Sequence, residues 1–214
     1  MQIVITGANR GIGHTLYTRY LAAGDQVLGT ARNAEGFLPL DVSKPEDFPR
    51  LAQQLDCQPV DLLVCNAGVY LDKHQSLASG YEAAMWAESF AVNVTGVFQT
   101  VQTLLPNLQL AQNAKIAIIS SQMASHTRAP GGSYIYRASK AAALNLGRNL
   151  ATDLKGLGIA VGIYHPGWVQ SDMGGTEAEI TVEESAIGLQ ARFAALDLTT
   201  TGCFQTWDGR DHAY

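Results

Sequence analysis

The segment Thr6-Gly7-Ala8-Asn9-Arg10-Gly11-Ile12-Gly13 directly follows the apolar run Ile3-Val4-Ile5 and leads into residues whose apolar members Ile12, Leu16 and Tyr20 fall in line. A strand, a glycine-rich turn and a helix in that order constrain the rest of the chain, because such a unit must pair its strand in a sheet and lay its helix on it. The turn also carries chemistry. The helix start offers unpaired N–H groups and the positive end of its dipole to an anion. Gly11 and Gly13 allow backbone to approach phosphate where a Cβ would clash. The glycine spacing alone is a weak signal; the readable strand before it and helix behind it strengthen it toward a dinucleotide pyrophosphate cradle.

Strand and helix patterns alternate along the remainder. Strands are expected at 2–6, 26–30, 37–40, 60–65, 116–120, 159–165 and 202–206. Helices are expected at 12–23, from the capping box Ser43-Lys44-Pro45-Glu46 to about 55, at 80–91 and 94–111 joined near Asn93, and at 134–155. A last helix opens on the box Thr181-Val182-Glu183-Glu184 and carries Val182, Ala186, Leu189, Phe193 and Leu196 on one face. Between Arg32 and Phe37 no crossover helix fits, so a short loop must make the connection to the third strand. The pattern predicts one α/β domain over 1–214: doubly wound, Rossmann-like, with a mostly parallel seven-stranded sheet and helices on both faces.

With 214 residues, 47% apolar and 15% charged, the chain can bury a full core. A net charge of −5 argues against nucleic acid and against an anionic membrane surface as partners. Cys57, Cys65 and Cys203 are odd in number and lack metal-ligand spacing, which suits a reducing compartment. The first strand begins at residue 2 with no basic and apolar leader, and no apolar run reaches membrane-spanning length; the expected location is cytoplasmic. Asp, Glu and His placement suggests no metal site.

In Tyr136-Arg137-Ala138-Ser139-Lys140 the phenol and the ammonium are four residues apart, on one helix face. A nearby cation favours phenolate and would lower the Tyr136 pKa toward working pH, making it a usable acid or base. A chance pairing on a surface helix is the plain alternative for these two alone. Ser121 stands at the end of an expected central strand, where open α/β sheets place ligands, although turn or cap roles are common there too. The phosphate cradle, the strand-end Ser and the helical Tyr/Lys pair, in that order, carry the argument together.

The chain resembles the short-chain dehydrogenase/reductase family over essentially its whole length. Thr6–Gly13 resembles the family's TGxxxGxG turn, Asn66-Ala67-Gly68 its NAG motif, Asn93 its helix-four Asn, and Ser121 with Tyr136 and Lys140 its catalytic Ser and YxxxK. His165-Pro166-Gly167-Trp168-Val169-Gln170-Ser171 resembles its PG segment. Tyr134–Asn145, Asp172-Met173-Gly174-Gly175 and Trp207-Asp208-Gly209-Arg210 resemble a compact subgroup holding C-factor-like and Sniffer-like carbonyl reductases.

The resemblance implies reversible hydride transfer between a nicotinamide and a carbonyl or alcohol substrate. Tyr136 would give its proton to the carbonyl oxygen, Ser121 would hold that oxygen, and Lys140 would lower the Tyr pKa and bond the nicotinamide ribose. Asn93 would anchor a proton-relay water. Gly7, Asn9, Arg10, Gly11, Ile12 and Gly13 would surround the phosphates, Asp41 and Val42 the adenine, and Asn66, Ala67 and Gly68 the middle of the cofactor. Pro166, Gly167, Val169 and Ser171 would meet the nicotinamide end.

Cofactor choice follows from charge. A carboxylate closing the second strand would select NAD, but the chain reads Thr30-Ala31-Arg32 there. Arg32 and Arg10 together favour the 2′-phosphate of NADP(H), against the alternative of two solvated surface arginines. Cys65 and His165 read as packing and loop-fixing residues. Trp168, Met173, Gln122 and Met123 flank the proposed centre, as pocket lining or core. The 174–180 loop reads as a lid or a plain connector.

The 134–155 helix is apolar on more than one side, through Leu146, Leu150 and Leu154 and through Ala138, Ala141 and Leu144. A homodimer or homotetramer would cover the second side; the 94–111 helix of the same chain is the competing cover. Two rivals remain: a non-catalytic dinucleotide sensor on this fold, and an extended-branch epimerase, for which too few residues follow Gly167.

Overall fold

Successive residues of the central strands are apolar on both faces, and the computed structural model, which describes residues 1–127 and 129–214, shows why. Seven strands form one all-parallel sheet in the order β3-β2-β1-β4-β5-β6-β7. They are β1 (Gln2–Thr6), β2 (Gln26–Ala31), β3 (Leu38–Pro39), β4 (Leu62–Cys65), β5 (Lys115–Ile119), β6 (Ala160–His165) and β7 (Phe204–Thr206). Ile3 and Ile5 of β1 pack with Leu16 and Tyr20 of α1 (Gly11–Ala22) and with Ala186, Leu189 and Phe193 of α6 (Val182–Ala195). Val4 points the other way. It joins Leu51 of α2 (Phe48–Gln54), Leu104 of α4 (Gly96–Leu110) and Leu144 of α5 (Tyr134–Lys155). Each fully buried aliphatic side chain of this kind contributes about 1.5–3 kcal/mol.

The order reverses at β1, where β2 and β3 lie to one side and β4 onward to the other. Open sheets of this type bind ligands beyond the carboxyl ends of the strands at that reversal. Thr6, Cys65 and Ile119 end their strands there, beside the turn of residues 7–10.

Two local expectations need correction. Ser43 caps no helix: its hydroxyl and its N–H both donate to the Asp41 carboxylate, and the short 3-10 turn Pro45–Asp47 precedes α2 instead. The helix expected at 80–91 begins only at α3 (Ala83–Phe90), because Tyr81 takes φ 67° and cannot continue a helix backward. α3 joins α4 near Asn93, as expected, and does so through a π-helical segment, Ala91–Thr95. By contrast, Thr181 accepts from the Glu184 N–H while the Glu184 carboxylate accepts from the Thr181 N–H, forming the expected box on α6. The third strand is two residues long, with Pro39 at the sheet edge, where a missing N–H costs no ladder bond.

Candidate active site

The glycine turn is held from both sides. Ala8 N–H donates to Thr30 O, and the Asn66 side-chain amide donates to Thr6 O and Gly7 O, both at 3.0 Å. A Cβ on Gly13 would stand 2.3 Å from Gly7 O and 2.4 Å from that amide nitrogen, so the helix packs on the turn with no room for a side chain. α1 then starts with no side-chain cap and no acidic residue in its first turn. Its first N–H groups and dipole are therefore left for an external anion, the condition a pyrophosphate needs.

These groups open on a cavity of about 420 Å³. Gly7, Asn9, Arg10, Gly11, Ile12 and Gly13 form one wall; Arg32, Asp41 and Val42 form another; Asn66, Ala67 and Gly68 line its middle. Tyr136, Lys140, Pro166 and Ser171 close the far end. Two residues expected here do not reach the cavity wall. Gly167 faces away, since a Cβ on it would lie 2.4 Å from Ile180 Cδ1, and Val169 is buried while its backbone bridges to Ile180. Ser121 and Asn93 are also absent from the lining; Ser121 stands beside the Tyr136 phenol and Asn93 beside Gly68.

Tyr136 and Lys140 lie in the first two turns of α5, both buried. Lys140 Nζ donates to Ile119 O at 3.0 Å and stands 5.7 Å from the centre of the Tyr136 ring. The Ser120 hydroxyl, at the end of β5, donates to Lys140 O and ties the helix to the strand end. Ser121 Oγ accepts from Met123 N–H at 3.1 Å, which leaves its own hydrogen free to point elsewhere. It lies close enough to the Tyr136 phenol to favour ionisation, but burial outweighs it and pushes the phenol well above its ordinary range. Burial also lowers Lys140 to about 8. Lys140 is not among the groups that lower the phenol, and burial shifts both side chains toward their neutral forms.

Asn93 is almost fully enclosed. Its amide oxygen accepts from Val69 N–H, and its two hydrogens go to Val69 O and Ser139 Oγ. A Cβ on Gly68 would crowd both Asn93 Oδ1 and Lys140 Nζ, at 3.3 and 3.4 Å. Asn93 is therefore a clamp between the π segment, the loop after β4 and α5, and only a second lone pair on Oδ1 remains for a further partner.

At the opposite end no carboxylate closes β2; Ala31 is its last residue and Arg32 follows into the groove. Arg32 also lines an adjoining polar hollow with Arg10, Lys44 and Arg50. Asp41 sits between, its acidity raised despite burial by hydrogen bonds from Ser43 and by the charges of Arg32 and Lys44. Arg10 reaches across the groove mouth to Asp172 at 2.9 Å, an exposed pair.

The segment after Pro166 is tethered: Trp168 Nε1 donates to Gly174 O and Lys73 Nζ to Met173 O. Met173 Sδ stands 4.0 Å from Tyr136 Oη, so this side chain faces the phenol directly. Gln122 and Met123 lie in the 3-10 turn that Ser121 caps. Burial pushes the Cys65 thiol up to about 12, an unreactive packed group. Among the described residues no group of His, Cys, Asp and Glu gathers to hold a metal, and no helix is long and apolar enough to cross a membrane.

Sequence reasoning missed Tyr70 and Asp72. The Tyr70 ring stacks on Tyr136 with centroids 4.2 Å apart, and its hydroxyl pairs with Ser133 Oγ. Asp72 accepts from the N–H groups of Ile135 and Tyr136. The one available signal was an acid just after the apolar Val69-Tyr70-Leu71, and nothing local connects it to a helix 63 residues away.

Residues 1–181 match the short chain dehydrogenase family. The chain is 33% identical over 154 residues to C-signal of Myxococcus xanthus, covering 72% of this chain and 92% of that one. It superposes on the carbonyl reductase Sniffer of D. melanogaster with a TM-score of 0.93 at 26% identity, covering 100% and 99%. It superposes on an NADPH-bound carbonyl reductase from chicken fatty liver with a TM-score of 0.90 at 27% identity, covering 100% and 98%. With this family's model matching residues 1–181, the chain belongs to the short-chain dehydrogenase family.

Proposed function

We propose that this oxidoreductase is an NADPH-preferring carbonyl reductase, reversible toward the matching alcohol. The observation that carries the reading is the buried Tyr136 phenol opening on the same cavity as the uncapped start of α1. The first turn of α1 would hold the pyrophosphate, Asp41 and Val42 the adenine, Lys140 the nicotinamide ribose, and Pro166 and Ser171 the carboxamide end. Arg10 and Arg32 would pair with a 2′-phosphate; the absence of an acid after β2 removes the group that would repel it. A solved relative from chicken is NADPH-bound, and another from Burkholderia multivorans has bound NADP.

When bound, NADPH supplies a hydride. The protein's own residues hold the carbonyl and deliver the proton. A phenol kept neutral by burial is a proton donor at neutral pH, as reduction requires. Tyr136 Oη gives its hydrogen to the carbonyl oxygen as negative charge builds there. The free Ser121 hydrogen is donated to the same oxygen and stabilises that charge. Lys140 holds the ribose side of the pocket, and Met173 gives the substrate end an apolar wall. Alcohol oxidation needs Tyr136 as phenolate, so it should gain rate as pH rises while reduction falls.

A binding-only sensor gains nothing from a buried phenol held beside a serine with a free hydrogen, which supports the enzyme reading over that rival. A homodimer or homotetramer would cover what remains exposed of Leu146 and Leu150 on α5, which otherwise pack on this chain's own core; light scattering that finds a monomer contradicts it. Three free thiols fit a cytoplasmic setting. The test of function is a panel of carbonyl compounds monitored by loss of NADPH absorbance. Carbonyl-dependent consumption is expected; a chain that binds NADPH yet reduces no member of a broad panel overturns the reading.

A further inference from the structure

Asp72 is alone among the described Asp and Glu residues in being fully buried, at 1% exposure. It lies in the loop after β4, and no described Lys or Arg forms a salt bridge with it; its neighbour Lys73 is spent on Met173 O. Its oxygens face the start of α5 instead. Oδ2 accepts from Ile135 N–H at 2.8 Å and Oδ1 from Tyr136 N–H at 3.2 Å. The residue that precedes the helix cannot do this work: Ser133 is left-handed (φ 49°, ψ 42°), makes no side-chain cap, and pairs its hydroxyl with Tyr70. A carboxylate from a distant loop thus replaces the local cap and meets the positive end of the dipole of a 22-residue helix.

The second N–H it holds belongs to Tyr136 itself. Leaving such a carboxylate buried without those donors would be costly, so the loop and the helix start are locked together. We propose that Asp72 is a positioning residue for Tyr136, fixing the first turn of α5 and through it the place of the phenol in the cavity. The proposal rests on Tyr136 being the proton donor. Asp72 also acts through its charge. The groups around the phenol are Lys140 on its own helix, Ser121 from the end of β5, Met173 from the loop after β6 and Tyr70 from the loop after β4, with Asp72 of that same loop held at the Tyr136 N–H. Among these, Asp72 and Tyr70 oppose phenolate formation. Removal of the Asp72 charge is therefore expected to make Tyr136 more acidic.

Two variants separate this from simple capping. Asp72→Asn keeps the shape and one acceptor oxygen but loses the charge; Asp72→Ala loses both. With saturating NADPH, Asp72→Ala should lose about tenfold or more in kcat, since small misplacements of a reacting group cost this much. NADPH affinity by fluorescence should stay within about twofold, because Asp72 is absent from the cavity lining. Amide exchange of residues 133–137 should accelerate in the same variant. Asp72→Asn should recover part of kcat, while the alkaline limb of its reduction profile moves to lower pH.

An unmoved limb in Asp72→Asn overturns the proposal even if Asp72→Ala does not fold, and so does a parallel loss of NADPH affinity and kcat in Asp72→Ala. A parent chain that reduces nothing sinks the reductase reading and this role together. A working parent with an unmoved limb sinks Asp72 alone.

Discussion

At the scale of single residues, the site is governed by desolvation. Lys140 lies one helical turn from Tyr136, and burial lowers its pKa from 10.5 to about 8. The folded chain therefore holds the Lys140 proton less tightly than the unfolded chain does, and between these two values unfolding takes up a proton. Stability should rise across that window as pH increases, by at most about 1.4 kcal/mol per pH unit. Below about 8 both states are protonated and the full burial penalty stands. Denaturant midpoints of the parent and of Lys140→Met, measured without nicotinamide nucleotide, should converge or cross as pH rises through that window; a constant difference contradicts the assignment. Arg32 makes a second residue-scale prediction. NADPH should bind more tightly than NADH, and Arg32→Ala should narrow the gap by about tenfold, as expected for one guanidinium–phosphate contact. Equal affinities in the parent chain contradict the proposed preference.

At the scale of elements, the catalytic helix is placed by a glycine as much as by its apolar stripe. A Cβ on Gly147 of α5 would lie 2.6 Å from Ile163 Cγ1 of β6, so helix and sheet meet there without a side chain between them. Gly147→Val should cost about 1–3 kcal/mol by overpacking. Thermal melts should show the loss, and kcat should fall with it as α5 rises off the sheet; an unchanged melt contradicts the packing described. Periodicity made most elements legible, because burial on both faces writes apolar runs into strands and 3.6-residue stripes into helices. It failed where one residue's backbone decided the outcome. Tyr81 in the left-handed region delays α3, and Ser43, bonded to Asp41, leaves the second crossover without its box. Nothing in the sequence marks the π segment at Ala91–Thr95, which turns Asn93 inward.

At the scale of the whole molecule, the sheet reversal at β1 brings together residues from both ends of the chain. The glycine turn and the Tyr/Lys pair could be read in sequence because each is a local spacing with its own chemistry, whereas Asn66-Ala67-Gly68 was legible only through the family resemblance. Gly167 and Val169 fell short of the cavity because residues around Ile180 fold over them, a contact between segments that spacing does not encode. The Asp72 cap and the Tyr70 stack are invisible for the same reason: each joins the loop after β4 to a helix far along the chain. The proposed activity depends on one hydroxyl, and replacing Tyr136 by Phe tests it most directly. With a carbonyl substrate and NADPH, Tyr136→Phe should reduce turnover by at least about a hundredfold while NADPH binds as in the parent. Retention of parental turnover by Tyr136→Phe would contradict the account.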